Sequence, residues 1–261
     1  MGKIEYIKKG QCIWCLKSKP EVKFYTKPHT IPKTLNSENI GFDICDSCNH
    51  FFGTDESNGV VSYSIDKITK EFFNVHKFLL STKNSDSWKK FKSQFFRYYH
   101  TSQKLKIKVD YFRRPSYANE FTRKFKRGIY NIFLQEYHRV TENALDEKFN
   151  KIRDFVRYNN GDIPLHYLVS SNGVRINEDL KKPIQLPFNE YTIERIDKMG
   201  YYDFMMTGLF FYLSVTDDAV YNFETISNEA KNLIGSGFVF TKLIELKRID
   251  QIDFTLRNWN K

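Results

Sequence analysis

The chain has 261 residues, 41% of them hydrophobic and 16% aromatic, and a formal net charge of +10 at pH 7. This apolar content is enough for a buried core and excludes an intrinsically disordered protein. The N-terminus lacks the apolar segment of a signal peptide, and the most apolar stretch, 204–215, is shorter than the about 20 residues that span a bilayer, so we expect a cytoplasmic protein without a membrane partner.

Residues 1–62 are predicted to form a small unit of strands and loops with one short helix. Prolines at positions 20, 28 and 32 interrupt this part, and the residue before a proline avoids helical backbone angles. The short helix is expected from about Cys45 to Phe52, and Gly53 is suited to end it.

A basic and mainly helical region is predicted over residues 63–128. Apolar residues recur at helical spacing over 66–80, 87–99 and 119–140, whereas residues 104–112 alternate lysines with apolar residues as a strand does. Residues 83–127 hold 14 Lys and Arg side chains against three carboxylates, a local net charge of +11, so the rest of the chain is nearly neutral. We therefore expect a polyanionic partner, because neutralising phosphates releases counterions.

The nucleic-acid contacts are expected from the cations of this region, which are interleaved with aromatic residues. An ordinary solvated basic face is the alternative. The candidate contact residues are Lys89, Lys90, Lys92, Arg97, Lys104, Lys106, Lys108, Arg113, Arg114, Arg123, Lys124, Lys126 and Arg127.

Residues 129–261 are predicted to form a C-terminal α+β domain for recognition or regulation. A helix is expected over 146–158, followed by strands at 191–197 and 201–215 around a turn at 198–200, and by two more at 238–246 and 252–256. The chain as a whole is predicted to be α+β, with a small N-terminal metal unit, a basic helical middle and a C-terminal antiparallel sheet.

Four cysteines, the only ones in the sequence, form two Cys-x-x-Cys pairs, Cys12/Cys15 and Cys45/Cys48. Two such pairs suit a tetrahedral zinc ion, and four thiolates would complete its coordination, so the zinc is expected to be structural. Four buried cysteines or a redox dithiol are the alternatives. Disulfides are not expected without an export signal.

The residues inside this cysteine frame resemble the HNH endonuclease superfamily, in its variants with paired cysteines. The resemblance covers residues 12–53 and rests on Cys12-Ile-Trp-Cys15, Pro28-His29-Thr-Ile-Pro32 and Cys45-Asp-Ser-Cys48-Asn49, in that order. It implies a ββα-metal module and a metal-dependent hydrolysis of phosphodiester bonds, with double-stranded DNA as the expected substrate. Restriction and phage defence are settings compatible with the family.

The resemblance also implies roles for three residues. His29 corresponds to the general base, a role that suits an imidazole with a pKa near neutrality. Asn49 corresponds to a ligand of a catalytic divalent metal, Mg²⁺ or another ion, and hard cations of this kind prefer oxygen ligands. Asn39 lies near the place of the asparagine that orients the histidine ring. Asn49 could instead simply cap its helix.

Pro28 departs from the family, because an acidic residue or histidine that binds the metal normally stands before the base. Asp43, Asp46, Glu21 or His50 could take over that role. The rival hypothesis is a zinc-containing nucleic-acid-binding protein that has lost catalysis, and an RNase or toxin-like nuclease is a weaker third. A symmetric homodimer would be a natural way to cut both strands, although no residue pattern indicates one.

Overall fold

The structure, a computed structural model, describes residues 3–35, 37–57, 59–81, 92–99, 101, 104–108, 113–170, 186–235 and 240–252. It is an α+β fold with six α-helices, a two-stranded hairpin and a four-stranded antiparallel sheet in this described part. None of the described helices combines the length and the apolar character needed to cross a membrane.

The N-terminal part has little regular secondary structure. Isolated antiparallel bridges join Gln11 to Ser18 and His29 to Ile40, and a 3-10 turn covers Lys33–Leu35. Helix α1, Asp46–Gly53, follows and confirms the helix expected there. Two isolated bridges and a 3-10 turn therefore precede the helix in the described residues of this part.

Two long helices form the centre of the molecule. Helix α2 covers Ile65–Ser81 and helix α3 covers Pro115–Thr141, close to the helices expected from apolar spacing. Pro115 starts α3, where its missing N–H costs no hydrogen bond, and Glu142 ends it with left-handed backbone angles. The helices touch at Gly128, where an added Cβ would lie 1.8 Å from Thr69 Oγ1, so glycine permits this close approach.

Strands β1, Phe96–Tyr99, and β2, Lys104–Ile107, form an antiparallel hairpin. The predicted strand at 104–112 is confirmed over β2. The predicted helix at 87–99 is wrong at its C-terminal end, because 96–99 is extended, while residues 87–91 lie outside the described chain. Phe95 and Phe96 are both buried, and a run of adjacent aromatic residues does not distinguish the helical period from a strand.

Helix α4, Asn150–Tyr158, follows a 3-10 turn at Glu147–Phe149, as predicted, and leads into the sheet. The sheet has the order β4-β5-β3-β6. Its strands are β3, Leu165–Ser170; β4, Tyr201–Met206; β5, Leu209–Ser214; and β6, Phe240–Glu245. The single strand predicted at 201–215 is two strands, β4 and β5, which pair with each other because Thr207 and Gly208 form a turn with positive φ. The strand predicted at 238–246 is confirmed over β6, and the strand predicted at 252–256 falls almost wholly outside the described residues.

Residues 191–197, predicted as a strand, are helical and belong to helix α5, Glu190–Met199. Tyr191-Thr192-Ile193 has strand-forming side chains, but the side chain of Asn189 accepts from the Thr192 N–H at 3.0 Å and caps a helix. Gly200, with φ of 72°, ends it. Helix α6, Ala219–Gly235, was not predicted, and a last 3-10 turn covers Ile249–Gln251.

One sheet face packs against α2 and α3, and the other packs against α6. Phe204 and Phe211 lie on the first face with Phe73 and Phe125, while Leu168 and Tyr212 lie on the second with Ile226. A single buried apolar cluster runs from Cys12 to Ile252. The predicted boundary between residues 128 and 129 falls inside α3.

Candidate metal cluster and active-site cavity

The four cysteines lie together, and each sulfur is within 4.8 Å of the others. The Sγ atoms of Cys15 and Cys45 are 3.8 Å apart. Tetrahedral zinc with bonds of about 2.3 Å requires sulfurs about 3.8 Å apart, and the four thiols form no disulfide. The cluster therefore has the donor set and the spacing of a structural zinc site.

Local backbone contacts hold the cluster at the start of α1. Cys45 precedes the helix as its N-cap, and its Sγ accepts from the Cys48 N–H at 3.5 Å. Cys12 Sγ accepts from the Cys45 N–H at 3.4 Å. The mutual contacts of the thiols lower the pKa of Cys15 and Cys45 and raise that of Cys12 and Cys48.

Two arginines of α4 stabilise this cluster from outside. Arg157 Nε donates to Cys48 Sγ at 3.4 Å, and its guanidinium lies 4.1 Å from the centre of the Phe51 ring. Arg153 Nε donates to the Ile13 carbonyl at 2.8 Å, within the first cysteine loop. A cation beside a thiolate offsets its charge, so α4 supplies the outer contacts of a four-thiolate metal site.

A completely buried carboxylate, Asp43, joins the cysteine loops to α3. It accepts from the N–H groups of Lys8, Lys9 and Gly10 at 2.9–3.0 Å and from His138 Nε2 at 3.0 Å. Burial would raise the pKa of Asp43, but the bonds from His138 and the three backbone groups outweigh burial and hold it below its ordinary value. Asp43 is thus a structural anchor.

His29 and Asn49 line one cavity of about 760 Å³ between the N-terminal part and helices α2 and α3. Residues 28–30 and 39–41 pair through bonds from Gly41 N to Pro28 O at 2.9 Å and from Thr30 N to Asn39 O at 3.3 Å. This pairing fixes the backbone at His29, and α1 carries Asn49. Two residues 20 positions apart therefore meet at one opening.

The His29 ring is half-buried, and its Nδ1 has no hydrogen-bond partner in the described chain. Burial lowers the pKa of His29, and the charges of Lys33 and Lys27 lower it further, so the imidazole is neutral at pH 7. An unpaired neutral imidazole at a cavity wall can accept a proton.

Asn49 lies in the second turn of α1 and does not cap it, since Cys45 holds that position. Its backbone N–H donates to the Cys45 carbonyl at 2.9 Å, and its side chain forms no hydrogen bond with a described residue. The amide oxygen of Asn49 is therefore available to a ligand in the cavity.

Asn39 does not orient the His29 ring through a hydrogen bond within the described chain. Its side-chain nitrogen donates to both oxygens of Glu136, at 3.2 and 3.0 Å. Glu136 on α3 is fully buried and also binds Thr30 Oγ1 and Arg139. Asn39 thus attaches the 28–41 segment to α3 and acts on His29 only through the backbone.

None of the four groups expected to replace the ligand missing at Pro28 lines this cavity. Asp43 is buried elsewhere, and Asp46 accepts from the Tyr25 and Thr26 N–H groups at 2.7 and 2.8 Å. Glu21 and His50 are exposed and do not contribute to the cavity wall.

The carboxylates in the cavity wall are Asp55 and Asp66, which the sequence reasoning missed. Asp55 is committed to the Ser64 N–H and to Lys67 Nζ, each at 2.9 Å, and Lys67 lowers its pKa. Asp66 is exposed at the cavity, and the protein around it raises the pKa of its carboxyl above the ordinary value. A single bond from Asn131 Nδ2 at 3.4 Å lowers the Asp66 pKa only in part.

Several of the predicted nucleic-acid contacts face inward. Lys124, Lys126 and Arg127 are 2%, 5% and 2% exposed. Lys124 Nζ donates to the Val61 carbonyl at 2.6 Å, Lys126 pairs with Asp162 at 2.7 Å, and Arg127 donates to the Val156 carbonyl. These three predictions are wrong, because α3 is surrounded by protein and its cations serve as internal hydrogen-bond donors.

The other predicted cations divide into three groups. Arg123 binds Asn159 and Gly161, and Lys108 Nζ donates to the Ser93 carbonyl at 2.8 Å. Four side chains are exposed and stay candidates: Lys92, Arg97, Arg113 and Arg114. Lys89 and Lys90, and the side chains of Lys104 and Lys106, lie outside what the structure describes.

Lysines from outside that basic region lie at the cavity or near His29. Lys67 and Lys70 of α2 line the cavity, and Lys27 and Lys33 are close enough to affect the pKa of His29. Sequence reasoning missed these lysines because they are dispersed along the chain, and the fold brings them together at one opening.

No family model matches the sequence, and neither a curated protein nor a solved structure shows significant similarity to the chain. What the cavity can do is therefore decided by its own groups: a neutral imidazole, a free amide, a carboxylate of raised pKa and a rim of lysines.

Proposed function

We propose that the protein is a metal-dependent endonuclease of the HNH type that hydrolyses DNA phosphodiester bonds. The observation that carries this proposal is the meeting of His29, Asn49 and Asp66 at one cavity beside the four-cysteine cluster. In this proposal the cluster holds zinc, which is fully coordinated by four thiolates and is structural. The chemistry belongs to the cavity.

His29 is the proposed general base. Its imidazole is neutral at pH 7, and because its Nδ1 is buried, Nε2 is the nitrogen that would take a proton from the attacking water. Burial and the neighbouring lysines keep it unprotonated before the reaction. The backbone pairing of 28–30 with 39–41 holds the imidazole at the cavity wall.

The donor set of the cavity fits a hard divalent cation such as Mg²⁺. Asn49 offers an amide oxygen, and Asp66 offers a carboxylate held by one long hydrogen bond. Asp66 thereby supplies the acidic group that Pro28 lacks. The cation would stabilise negative charge on the phosphate and on the leaving oxygen.

The rim lysines support a phosphate-bearing substrate. Lys70 is exposed at the cavity and forms no ion pair with a described residue, whereas Lys67 is paired with Asp55 at 2.9 Å. Lys70 is thus placed to bind a backbone phosphate directly. Double-stranded DNA, a role in restriction or phage defence, and a homodimer that cuts both strands all belong to this proposal.

The test is cleavage of supercoiled plasmid by purified protein with Mg²⁺, Mn²⁺ or Ni²⁺. Replacing His29 by Ala is expected to reduce the rate by about 10²–10⁴-fold, the usual contribution of a general base. His50→Ala is the matched control, since His50 lies on α1, is exposed and does not line the cavity. Asp66→Asn should abolish metal-dependent cleavage and leave DNA binding intact.

The rival proposal, a binding protein without catalysis, is favoured by Pro28 at the position of a family metal ligand. It predicts that the wild type shifts DNA on a gel, never cuts it with any of the three metals, and behaves as His29→Ala does. Cleavage that persists unchanged in both His29→Ala and Asp66→Asn would refute the proposed active site.

A further inference from the structure

A second cavity, of about 410 Å³, lies far from the cysteine cluster in sequence, on the α6 side of the sheet. Strands β3–β6 contribute its floor, including His166, Tyr201, Ser214 and Leu243, and the first turn of α6 lies over it. Its volume is in the range of small-molecule sites. The proposed nuclease chemistry does not use any of these residues.

The walls of this cavity are mainly apolar. The apolar residues that line it include Ile152, Ile163, Pro164, Val215, Ala219 and Val220. The charged groups at its edge already have partners, because Lys151 pairs with Asp217, Asp162 with Lys126, and Glu245 with Lys247. A charged ligand would lose its hydration here without finding an unpaired side chain of opposite charge. The cavity therefore favours an uncharged ligand.

His166 is the exception among the described groups that line the cavity. It is 7% exposed, yet its Nδ1 has no hydrogen-bond partner in the described chain. A buried polar atom left unpaired destabilises the fold, and a ligand with a donor or acceptor could recover this cost. Burial lowers the pKa of His166, Glu245 raises it and Lys126 lowers it, so the ring is neutral at pH 7.

An aromatic surface accompanies this imidazole. The Phe223 ring of α6 lies 4.8 Å from the His166 ring, with 33° between the planes, and is 42% exposed. Tyr201 lies 6.5 Å from the imidazole on the floor. Flat rings around a polar atom complement a flat ligand with one polar edge.

Gly200 fixes the position of the α6 wall. Its carbonyl accepts from the Val215 N–H at 2.7 Å, and a Cβ at this residue would lie 2.4 Å from the backbone nitrogen of Ala219. The start of α6 is therefore held against the sheet, and the cavity is part of the packed fold.

We propose that this cavity binds a small, uncharged, planar aromatic molecule through stacking on Phe223 and a hydrogen bond to His166. The site would allow the C-terminal part of the chain to respond to a ligand, whether or not the first cavity is a nuclease. A phenol, an indole or a nucleobase has the required chemistry, since each combines a flat apolar body with a polar edge.

The test uses p-cresol as the probe. The control compound is 4-methylcyclohexanol, which has the same size but is not planar. Saturation-transfer NMR and calorimetry on the full chain should show p-cresol binding at about millimolar affinity, with the cyclohexanol at least fivefold weaker. His166→Phe should weaken p-cresol about fivefold to tenfold, which corresponds to one lost hydrogen bond.

A second variant keeps the test independent of the stability of the His166 substitution. Val220 lines the cavity but is 74% exposed, so Val220→Trp should fold and block the opening. Tyr221→Trp is its matched control, because Tyr221 is 84% exposed and does not line the cavity. Val220→Trp should abolish p-cresol binding, whereas Tyr221→Trp should leave it unchanged.

Three results would overturn the proposal. The first is an absence of p-cresol binding up to about 10 mM, a concentration at which a fragment of this size should be detected. The second is binding that neither His166→Phe nor Val220→Trp weakens. The third is equal affinity for the planar and the non-planar probe.

Discussion

The cysteine loops and the C-terminal sheet are stabilised in different ways. In the described residues between 3 and 57 the backbone forms isolated bridges, a 3-10 turn and one eight-residue α-helix. Buried apolar side chains such as Trp14 and Phe24 join this part to the core, and polar groups add links to it: the four thiols, Asp43 and Glu136. The sheet instead buries apolar side chains on both faces, Phe204 and Phe211 on one and Leu168 and Tyr212 on the other. A small segment with little regular secondary structure depends more on individual polar and metal-binding links, whereas a sheet distributes its stability over many equivalent contacts.

The largest effect is expected from removing one thiolate of the metal cluster. A structural zinc contributes about 10 kcal/mol to the folding of a small metal-bound unit, so Cys45→Ser should unfold the cysteine loops. Hydrogen exchange should show residues 12–48 unprotected while the peptides of β4 and β5 stay protected. Ser47→Ala, an exposed neighbour on α1, is the control. Simultaneous loss of protection in the sheet would show that the two regions unfold together.

A smaller effect is expected at Asp43. Asp43→Ala leaves His138 and three backbone N–H groups without their buried acceptor, so the free energy of unfolding should fall by about 3–5 kcal/mol. Urea denaturation of the zinc-loaded wild type and variant measures this difference in the free energy of unfolding.

The control for this change is Asp154→Ala, which removes an exposed carboxylate of α4. It should alter the unfolding free energy by less than about 0.5 kcal/mol. If Asp43→Ala and Asp154→Ala lower the unfolding free energy by the same amount, the buried polar contacts of Asp43 do not stabilise the cysteine loops more than an exposed carboxylate stabilises α4.

The smallest effect is a pH dependence in the sheet. His166 has a lowered pKa in the fold, while the unfolded chain protonates near pH 6.5, so the unfolded state binds more protons below that pH. The contribution of the neutral His166 ring to the free energy of unfolding is therefore fully present above about pH 6.5. It is lost progressively as the pH falls from there toward the lowered pKa of the folded state. The midpoint temperature of thermal unfolding should fall more steeply between pH 7 and 5 for the wild type than for His166→Phe. Parallel curves would contradict this.

The cysteine cluster and the long helices could be predicted from sequence because their signals are local. The Cys-x-x-Cys spacing brings two thiols together in each loop, and the apolar period of 119–140 matches a helix that is buried on nearly all sides. The strand predicted at 191–197 failed because propensity favoured Tyr191 and Ile193 as strand residues, while Asn189 and Gly200 decided the helix.

Groups that meet only through tertiary packing could not be predicted. Asp66 lies on α2 and reaches the His29 cavity because Gly128 allows α2 and α3 to touch. Lys124, Lys126 and Arg127 looked like a nucleic-acid surface because charge predicts exposure, yet carbonyl and carboxylate acceptors from distant segments enclose them.

Helix α3 contacts the surroundings of both cavities. Asn131 and Ile132 line the first, and Lys126 holds Asp162, which lines the second. Five residues, about 8 Å along the helix axis, separate Lys126 from Asn131. If both proposed sites bind their ligands, a ligand that displaced α3 from one side would change the binding free energy on the other, and thermodynamic reciprocity would make the two changes equal. An occupant of the sheet cavity that alters cation affinity at Asp66 would itself be bound more or less tightly, by the same factor, when the cation is present.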